Sequence, residues 1–318
     1  MKQRKIEFEI LKSVLIISIV VGHAFSIPLI NVFWYHVPGF FMLTGYFSKN
    51  PTGGNLPDIS SMLIHKLRRY VVPYFSYCIV FYILFQQEPV IKNLVRILLA
   101  GGWNVSLYSY PFWFINALFV ASMVFDLILC AFEKVKNPKK HFMMASLFIG
   151  IWMFVHCNAV FPFTVYLPWS IDQSLGALVF IYIGYIIKGA TLKWWWAIFP
   201  LVAFVFTLLH YYYPEVDCHL NMCPMTYRSI IVDLFVPVTF IATFYILALG
   251  LSRIPKVNIV LGSVGSASFT IFFTHAAVIA AWPCNVTWWT VLVAVCGGIC
   301  LHVVLNRYSI IRMLFIGK

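Results

Sequence analysis

The hydrophobic positions of the chain fall into ten long, continuous runs that are separated by shorter polar segments. A helix needs about 20 mostly apolar residues to cross the ~30 Å hydrocarbon core of a bilayer. Because the runs have about that length, each is predicted to form one transmembrane helix. The ten predicted spans are residues 10–30, 32–48, 69–87, 111–132, 142–159, 173–188, 193–212, 229–251, 265–282 and 286–306.

The composition also indicates a membrane protein. Of the 318 residues, 62% are hydrophobic and 10% are charged, whereas a soluble domain has about 25% charged residues. A water-soluble core of this size cannot bury such a surplus of apolar side chains. We predict an all-α, polytopic integral membrane protein with about ten transmembrane helices, in a single domain over residues 1–318.

Lysine and arginine residues set the expected orientation, because cytoplasmic loops carry an excess of them. With the N-terminus inside, only Lys92, Arg96 and Arg228 fall in external segments and Lys12 lies in the first span. The rest of the 22 Lys and Arg residues are then cytoplasmic. Both termini are predicted to be cytoplasmic, in a multi-pass protein of the cytoplasmic (inner) membrane. The net charge of +12 reflects this orientation, so no nucleic-acid partner is predicted.

Two ionisable residues, Lys12 and His23, lie in the first span, and a third, Glu9, directly precedes it. An ionised side chain in mid-membrane costs about 2.5–3.5 kcal/mol on insertion scales and usually marks a functional site. Glu9 and Lys12 are three residues apart, so they share a helix face and can pair. His23 follows Lys12 by eleven residues, which places both on about one face, ~16 Å apart. The alternatives are a charge pair that anchors the helix and a structural histidine bonded to a neighbouring helix.

Two more histidines are predicted to reach the level of His23. His36 opens the segment HVPGFFMLTGYF at the outer end of the second span, where Pro38 and Gly39 are expected to break the helix. His275 ends the segment SASFTIFFTH in the outward-running ninth span. The topology therefore predicts that three helices bring three histidines together. No carboxylate obviously joins them, so no metal site is predicted.

The eight cysteines include no Cys-x-x-Cys pair. Cys218 and Cys223 share the predicted external loop after the seventh span, and they can form a disulfide if that side is oxidising. Their spacing leaves the question open.

Several segments resemble a known family of membrane enzymes. Lys12-x10-His23 is similar to the Arg-x10-His signature of the acyltransferase-3 family of membrane O-acyltransferases, with Lys in place of Arg. Glu9-x-x-Lys12 is similar to the Asp-x-x-Lys of its fucose 4-O-acetylase-like branch. Four further segments resemble family elements in the family's order: HVPGFFMLTGYF (36–47), KLRRYVVPYF (66–75), PFWFINALF (111–119) and GSASFTIFFTH (265–275).

The resemblance implies a fold of about ten helices and transfer of an acetyl or other acyl group to a hydroxyl. The donor is then acetyl-CoA or a close acyl-CoA, used as a substrate, and no permanently bound cofactor is expected. The acceptor is an extracytoplasmic or lipid-linked glycan. His23 is expected to act as general base, because a neutral imidazole suits removal of a hydroxyl proton. Lys12 and Glu9 are expected to support it.

The remaining site residues are assigned by side of the membrane. We expect Lys66, Arg68 and Arg69, together with Lys12, to bind the phosphates of the donor. The positive-inside bias is the alternative explanation for these cations. On the outer side, the alternative explanation for the aromatic residues is the belt of Trp and Tyr that is common at membrane–water interfaces. The residues expected to bind or support the acceptor are His36, Trp113, Asn116, Asp172, Arg228 and His275.

The main competing hypothesis is a transporter of glycans or lipid-linked sugars without acyl-transfer chemistry. Carriers often contain matching broken helices in two related halves. The expected break at Pro38–Gly39 has no counterpart in the second half of the chain. The sequence therefore favours the enzyme.

Overall fold

A computed structural model describes residues 6–27, 30–49, 59–85, 110–160, 167–282 and 287–318. Every regular element in these ranges is helical, and they contain no β-strand. The α-helices are α1 (Ile6–Ala24), α2 (His36–Phe47), α3 (Ile59–Lys66), α4 (Val72–Phe85), α5 (Trp113–Ala131), α6 (Asn137–Val160), α7 (Ile171–Ile186), α8 (Ile198–Tyr212), α9 (Val232–Leu251), α10 (Pro255–Ala280), α11 (Trp288–Leu305) and α12 (Ser309–Ile316). A π-helical turn, Leu67–Val71, precedes α4.

Each of the ten predicted spans overlaps one of these helices. Within the described ranges, six helical segments are long and apolar enough to cross a membrane. They are Tyr110–Ala131, Asn137–Cys157, Trp194–Tyr212, Val232–Leu251, Pro255–Ala280 and Trp288–Leu305. The chain is therefore an all-helical, multi-pass membrane protein, while the count of ten spans and the orientation stay predictions.

Several boundaries differ from the predicted ones. α1 ends at Ala24 rather than at residue 30, and Pro28 follows within a few residues, as is common after a helix. Residues 59–66, placed in a predicted loop, form α3. Most of the predicted loop at 88–110 lies outside the described residues.

The prediction that Pro38 and Gly39 break the helix is wrong. The two residues lie in the first turn of α2, and the Gly39 N–H already donates to the Tyr35 carbonyl at 2.8 Å. Proline fits a first turn because its missing N–H would have no partner within the helix there. α2 is therefore a continuous helix.

The chain divides into two compact units. The first unit falls within Met1–Phe40, Thr191–Asn221 and Ile231–Tyr308, and it contains α1, α8, α9, α10 and α11. Gly265 of α10 faces the backbone of α1, where an added Cβ would collide with the Glu9 carbonyl oxygen. The Ser13 hydroxyl of α1 donates to the Leu261 carbonyl of α10. Small residues at a helix crossing let two backbones approach closely, which explains this contact.

The second unit falls within Phe41–Ala190, Met222–Ile230 and Ser309–Lys318. It contains α3 to α7, α12 and most of α2. Glycines again mark its closest helix crossing: an added Cβ on Gly45 of α2 would meet the Ile181 carbonyl, and one on Gly184 of α7 would meet the Met42 carbonyl. This contact joins α2 to α7.

Cys218 and Cys223 are both buried free thiols, and the first unit holds one while the second holds the other. The structure therefore contains no disulfide between them. Burial raises the pKa of the Cys223 thiol to about 12 and also raises the pKa of Cys218. Since the thiolate is the reactive form of cysteine, burial lowers the reactivity of both side chains at neutral pH.

Candidate active site

Two of the predicted histidines form a direct hydrogen bond in the first unit. The distance from His23 Nδ1, near the end of α1, to His275 Nε2 on α10 is 2.7 Å. The two rings are nearly coplanar, with an angle of 7° between their planes and 4.9 Å between their centroids. His23 is partly buried, whereas His275 is completely inaccessible to solvent.

The packing of α1 on α10 explains how these residues meet. Glu9 lies against Gly265 near the start of the contact, and His23 lies against His275 farther along both helices. The two helices therefore run side by side in the same direction. Because Gly265 has no side chain, the backbones approach closely enough for the two imidazoles to bond.

The backbone around His275 determines where the protons lie. His275 Nδ1 is 2.7 Å from the Phe272 carbonyl oxygen and 3.2 Å from that of Ile271. A carbonyl oxygen only accepts, so we assign a proton to His275 Nδ1. In a neutral imidazole, Nε2 is then the acceptor, and His23 Nδ1 must donate to it. The same rule makes His23 Nε2 the basic nitrogen of the neutral pair.

His36 belongs to the same cluster. Its side chain is buried, and its Nδ1 donates to the Val32 carbonyl at 2.6 Å. The Phe33 ring lies near both His23 and His36, with centroid distances of 6.1 Å and 5.2 Å. The structure thus brings together all three histidines that the topology placed at one level.

Glu9 and Lys12 form an ion pair on α1, with 2.6 Å between Lys12 Nζ and Glu9 Oε2. Lys12 remains partly exposed, with 26% of its side chain accessible, whereas Glu9 is at 10%. This is the pairing expected from their spacing. It leaves the cation about 16 Å from His23 along the helix, on roughly the same face.

Lys66, Arg68 and Arg69, which are predicted to bind the donor and are called the basic cluster below, lie in the second unit. They differ in their ion pairing and exposure. Lys66 forms an ion pair with Asp126 of α5, with 2.9 Å between Nζ and Oδ2. Arg68 and Arg69 are exposed, and the Arg69 guanidinium lies 5.6 Å from the centre of the Tyr70 ring. The two arginines are therefore better placed than Lys66 to meet an anion.

His65 is a further member of this cluster that the sequence analysis missed. Partial burial lowers the pKa of His65, and the charges of Arg69, Lys66 and Lys49 lower it further. The effect shows how closely these cations are grouped. The signal available in the sequence was the position of His65 directly before Lys66.

The predicted acceptor residues are divided between the units. His36 and His275 lie in the first unit, and Trp113, Asn116, Asp172 and Arg228 lie in the second. Trp113 and Asn116 are buried at the start of α5, whereas Arg228 is exposed. Asp172 lies in the first turn of α7, where its Oδ1 accepts from the Gln173 N–H at 3.0 Å.

Two buried amides in the second unit are incompletely hydrogen-bonded. Asn116 is 1% exposed and Gln173 is 2% exposed. Gln173 Nε2 donates to the Cys223 carbonyl at 3.1 Å, but Gln173 Oε1 has no partner among the described residues. Asn116 Nδ2 makes no hydrogen bond of normal length there, although Asn116 interacts with Tyr74. Gln173 was not selected from the sequence, although its place at the start of an apolar run was a usable signal.

The chain before Gln173 has an unusual backbone. Trp169 and Ser170 both lie in the left-handed region, with φ values of 60° and 55°. Non-glycine residues seldom adopt this conformation, which costs about 1–2 kcal/mol per residue. Trp169 packs against Tyr74, Phe75 and Phe119. These contacts hold the strained turn in place at the entrance to α7.

In the described part of the chain, no three His, Cys, Asp or Glu residues are grouped so that they could hold a metal ion.

Comparison with known proteins places this site in a family. Residues 5–307 match the family model described as an acyltransferase domain, of the acyltransferase-3 type. No curated protein and no solved structure matches the chain. The matched region extends over α1 to α11 and includes every predicted site residue. The chain therefore belongs to the acyltransferase-3 family.

Proposed function

We propose that this protein is a membrane O-acyltransferase that moves an acetyl group from cytoplasmic acetyl-CoA to a hydroxyl of an extracytoplasmic or lipid-linked glycan. Family membership and the apolar helices support a membrane acyltransferase. The observation that carries the finer proposal is the bond between His23 and His275, because it gives His23 a basic Nε2. Membrane lipids are the other partners that we expect.

In the proposed reaction, His23 is a general base and then a general acid. The acceptor hydroxyl attacks the thioester carbonyl while His23 Nε2 removes the hydroxyl proton. The new C–O bond forms, the C–S bond breaks, and the CoA sulfur receives that proton from His23. A correctly placed base typically contributes about 10²- to 10⁴-fold to such a reaction.

On the donor side, the proposal assigns the phosphates of acetyl-CoA to the basic cluster. Arg68 and Arg69 are its exposed members, whereas Lys66 is already paired with Asp126. A guanidinium also matches phosphate geometry with two parallel N–H donors. The arginines are therefore expected to contribute more to donor binding than Lys66.

Lys12 is proposed to meet the donor as a single positive charge. The ammonium has three donors but lacks the planar fork of the arginine in the family signature. Glu9 holds it at 2.6 Å and so fixes its position on α1. The Glu9–Lys12 pair is therefore proposed to orient the donor rather than to take part in proton transfer.

On the acceptor side, the proposal assigns glycan hydroxyls to polar groups of the second unit. Asn116 is the best supported of these, because its buried Nδ2 makes no hydrogen bond of normal length in the described ranges, although Asn116 interacts with Tyr74. Trp113, Asp172 and Arg228 are proposed to provide stacking and further polar contacts. No cofactor is proposed besides the donor substrate.

The test is acyl transfer by the purified full chain in detergent. Radiolabelled acetyl-CoA is supplied together with a glycan and lipid-linked sugar extract from the envelope of the native cells. Alkali-labile label in the extract measures ester formation. His23→Ala is expected to lower the rate about 10²- to 10⁴-fold, as expected for loss of a general base, while expression and membrane insertion stay at the wild-type level.

Two outcomes contradict the proposal. Wild-type turnover by His23→Ala removes the general-base role. Movement of labelled sugar across proteoliposomes without ester formation by the wild-type protein supports the transporter instead.

A further inference from the structure

The two nitrogens of His275 are both engaged within the protein. Nδ1 donates to the Phe272 carbonyl at 2.7 Å, and Nε2 lies 2.7 Å from His23 Nδ1. The side chain has no accessible surface. It therefore has neither a nitrogen nor an exposed face for a substrate, and any role in the reaction must act through His23. This excludes direct acceptor binding, one of the two roles considered for His275 from the sequence.

We infer that His275 is a positioning residue, which holds His23 in the tautomer that leaves Nε2 as the base. This inference rests on the proposed function. Without a partner, a neutral imidazole can carry its proton on either nitrogen. The acceptor at His275 Nε2 removes that freedom, because only a proton on His23 Nδ1 completes the 2.7 Å bond.

The orientation of His275 is set by its own helix. Its Nδ1–H is held by a carbonyl one turn earlier in α10, so its Nε2 points at α1 in a fixed direction. The nearly coplanar rings show that His23 aligns with this acceptor. The backbone of α10 thereby determines the protonation of a side chain on α1.

A histidine suits this position better than a carboxylate would. The site is completely buried, and a carboxylate there would have to be stripped of water at considerable cost. A neutral imidazole accepts the same hydrogen bond without adding a net charge. The pair thus provides orientation at low electrostatic cost in the interior of a membrane protein.

The bond also gains strength during the reaction. When His23 Nε2 takes the hydroxyl proton, the ring becomes positive and its Nδ1–H bond to His275 becomes charge-assisted. Interactions that strengthen as charge develops act on the turnover number rather than on substrate affinity. Loss of His275 should therefore lower kcat and leave the KM for the donor nearly unchanged.

Two variants of similar shape separate positioning from packing. His275→Gln keeps an oxygen that can accept from His23, whereas His275→Met fills the space without a good acceptor. His275→Met is expected to lower kcat on the order of 10²-fold, as for loss of the partner that orients a catalytic histidine, with the KM for acetyl-CoA within about twofold. His275→Gln should recover kcat to within about tenfold of wild type, since the acceptor is restored.

The control is His302→Leu. His302 Nδ1 lies 2.9 Å from the Thr270 hydroxyl, so this change also removes a side-chain bond to α10 but leaves the histidine pair intact. Its kcat should stay within about twofold of wild type, as for a substitution outside the reacting groups. A large loss of kcat in His302→Leu would mean that loosening the packing of α10 is enough to lower kcat, and this result overturns the inference.

A double-mutant cycle tests whether His275 acts through His23. In the His23→Ala background, His275→Met should cause no further loss, because effects transmitted through one group are not additive. A second loss of equal size overturns the inference, as does wild-type kcat in the single His275→Met variant. If His23→Ala itself is fully active, the proposed function fails instead.

A spectroscopic measurement on the wild-type protein does not depend on whether the variants fold. Histidine labelled with ¹⁵N is incorporated, and the His23 signals are identified by their absence in His23→Ala. A protonated Nδ1 and an unprotonated Nε2 are expected for His23. The opposite tautomer overturns the inference.

Discussion

Two buried polar clusters, one in each unit, differ in how completely their polar atoms are hydrogen-bonded. In the first unit, the imidazoles of His23, His275 and His36 bond to each other or to backbone carbonyls. In the second unit, Gln173 Oε1 has no partner among the described residues, and Asn116 Nδ2 makes no hydrogen bond of normal length there, although Asn116 interacts with Tyr74.

This difference separates two kinds of site. A buried polar group that lacks a partner costs about 1–3 kcal/mol, so it persists where something else is gained. Hydrogen bonds at one nitrogen of each imidazole hold the ring in one orientation and one tautomer, which suits proton transfer at the other nitrogen of His23. Incompletely bonded amides suit the binding of hydroxyl groups. We therefore propose that the histidine cluster takes part in the chemistry and that the two amides contribute to recognition.

The largest expected effect comes from forcing α1 and α10 apart in the first unit. Gly265→Val places side-chain atoms where the Glu9 backbone lies, and no rotamer change relieves a clash with backbone. We expect acyl transfer to fall more than about 10²-fold, since displacing reacting groups by 1 Å can cost that much. The rate is measured with labelled acetyl-CoA, and folding by thermal unfolding in detergent.

Gly297→Val is the matched control, because an added Cβ on Gly297 of α11 meets nothing within 4 Å. It should keep both the activity and the unfolding temperature of the wild type. An active Gly265→Val protein would show that the close contact of α1 and α10 is not needed to assemble the histidine pair.

An intermediate effect is expected from the arginines of the second unit. The double variant Arg68→Gln/Arg69→Gln should raise the KM for acetyl-CoA about tenfold, equivalent to about 1.4 kcal/mol, without a change in kcat. The reason is the loss of two exposed cations that are proposed to meet phosphate. Initial rates over a range of donor concentration provide the measurement.

The double variant Lys134→Gln/Lys136→Gln removes the same charge from exposed residues elsewhere in the second unit. Its KM should equal that of the wild type at moderate ionic strength. An equal rise in the KM for acetyl-CoA in both double variants would indicate a general effect of net charge. The basic cluster would then no longer be assigned to binding the donor phosphates.

The smallest expected effect is a change in unfolding temperature, which should have opposite signs for Asn116→Leu in the second unit and His275→Met in the first. Asn116→Leu removes a buried amide whose nitrogen makes no hydrogen bond of normal length among the described residues, so the unfolding temperature should rise by a few degrees, corresponding to about 1–2 kcal/mol. Acyl transfer should fall severalfold through a higher KM for the glycan extract. Thermal unfolding and acceptor titration are the two measurements.

His275→Met in the first unit should instead lower the unfolding temperature, because it leaves His23 Nδ1 without its buried acceptor. If Asn116→Leu also destabilises the protein, the contrast between the units fails. If it stabilises the protein and leaves the glycan KM unchanged, the amide has no role in the acceptor site.

The helices were largely predictable because membrane insertion imposes a simple length requirement. Each apolar run had to bond its backbone internally, and each became a helix. Their ends were less predictable. The first turn of α2 accommodates Pro38, which the sequence analysis took for a break, because a proline signals the start of a helix as readily as its interruption.

The candidate site was predictable where its contacts are local in sequence. Glu9 and Lys12 pair as their spacing of three residues allowed. The Lys66–Asp126 pair joins separate segments and was missed. Gln173 was missed because its unpaired oxygen becomes visible only when the surrounding partners are known.

The sequence alone determined that the chain enters a membrane as a set of helices, and it predicted that His23, His36 and His275 lie at a similar depth, because hydrophobic length and topology set the expected height of each residue. Only the tertiary structure decided that His23 bonds to His275 across 252 residues of chain. Depth is a property of one helix, but a hydrogen bond depends on the lateral packing of two. That packing depends on the close approach that Gly265 permits.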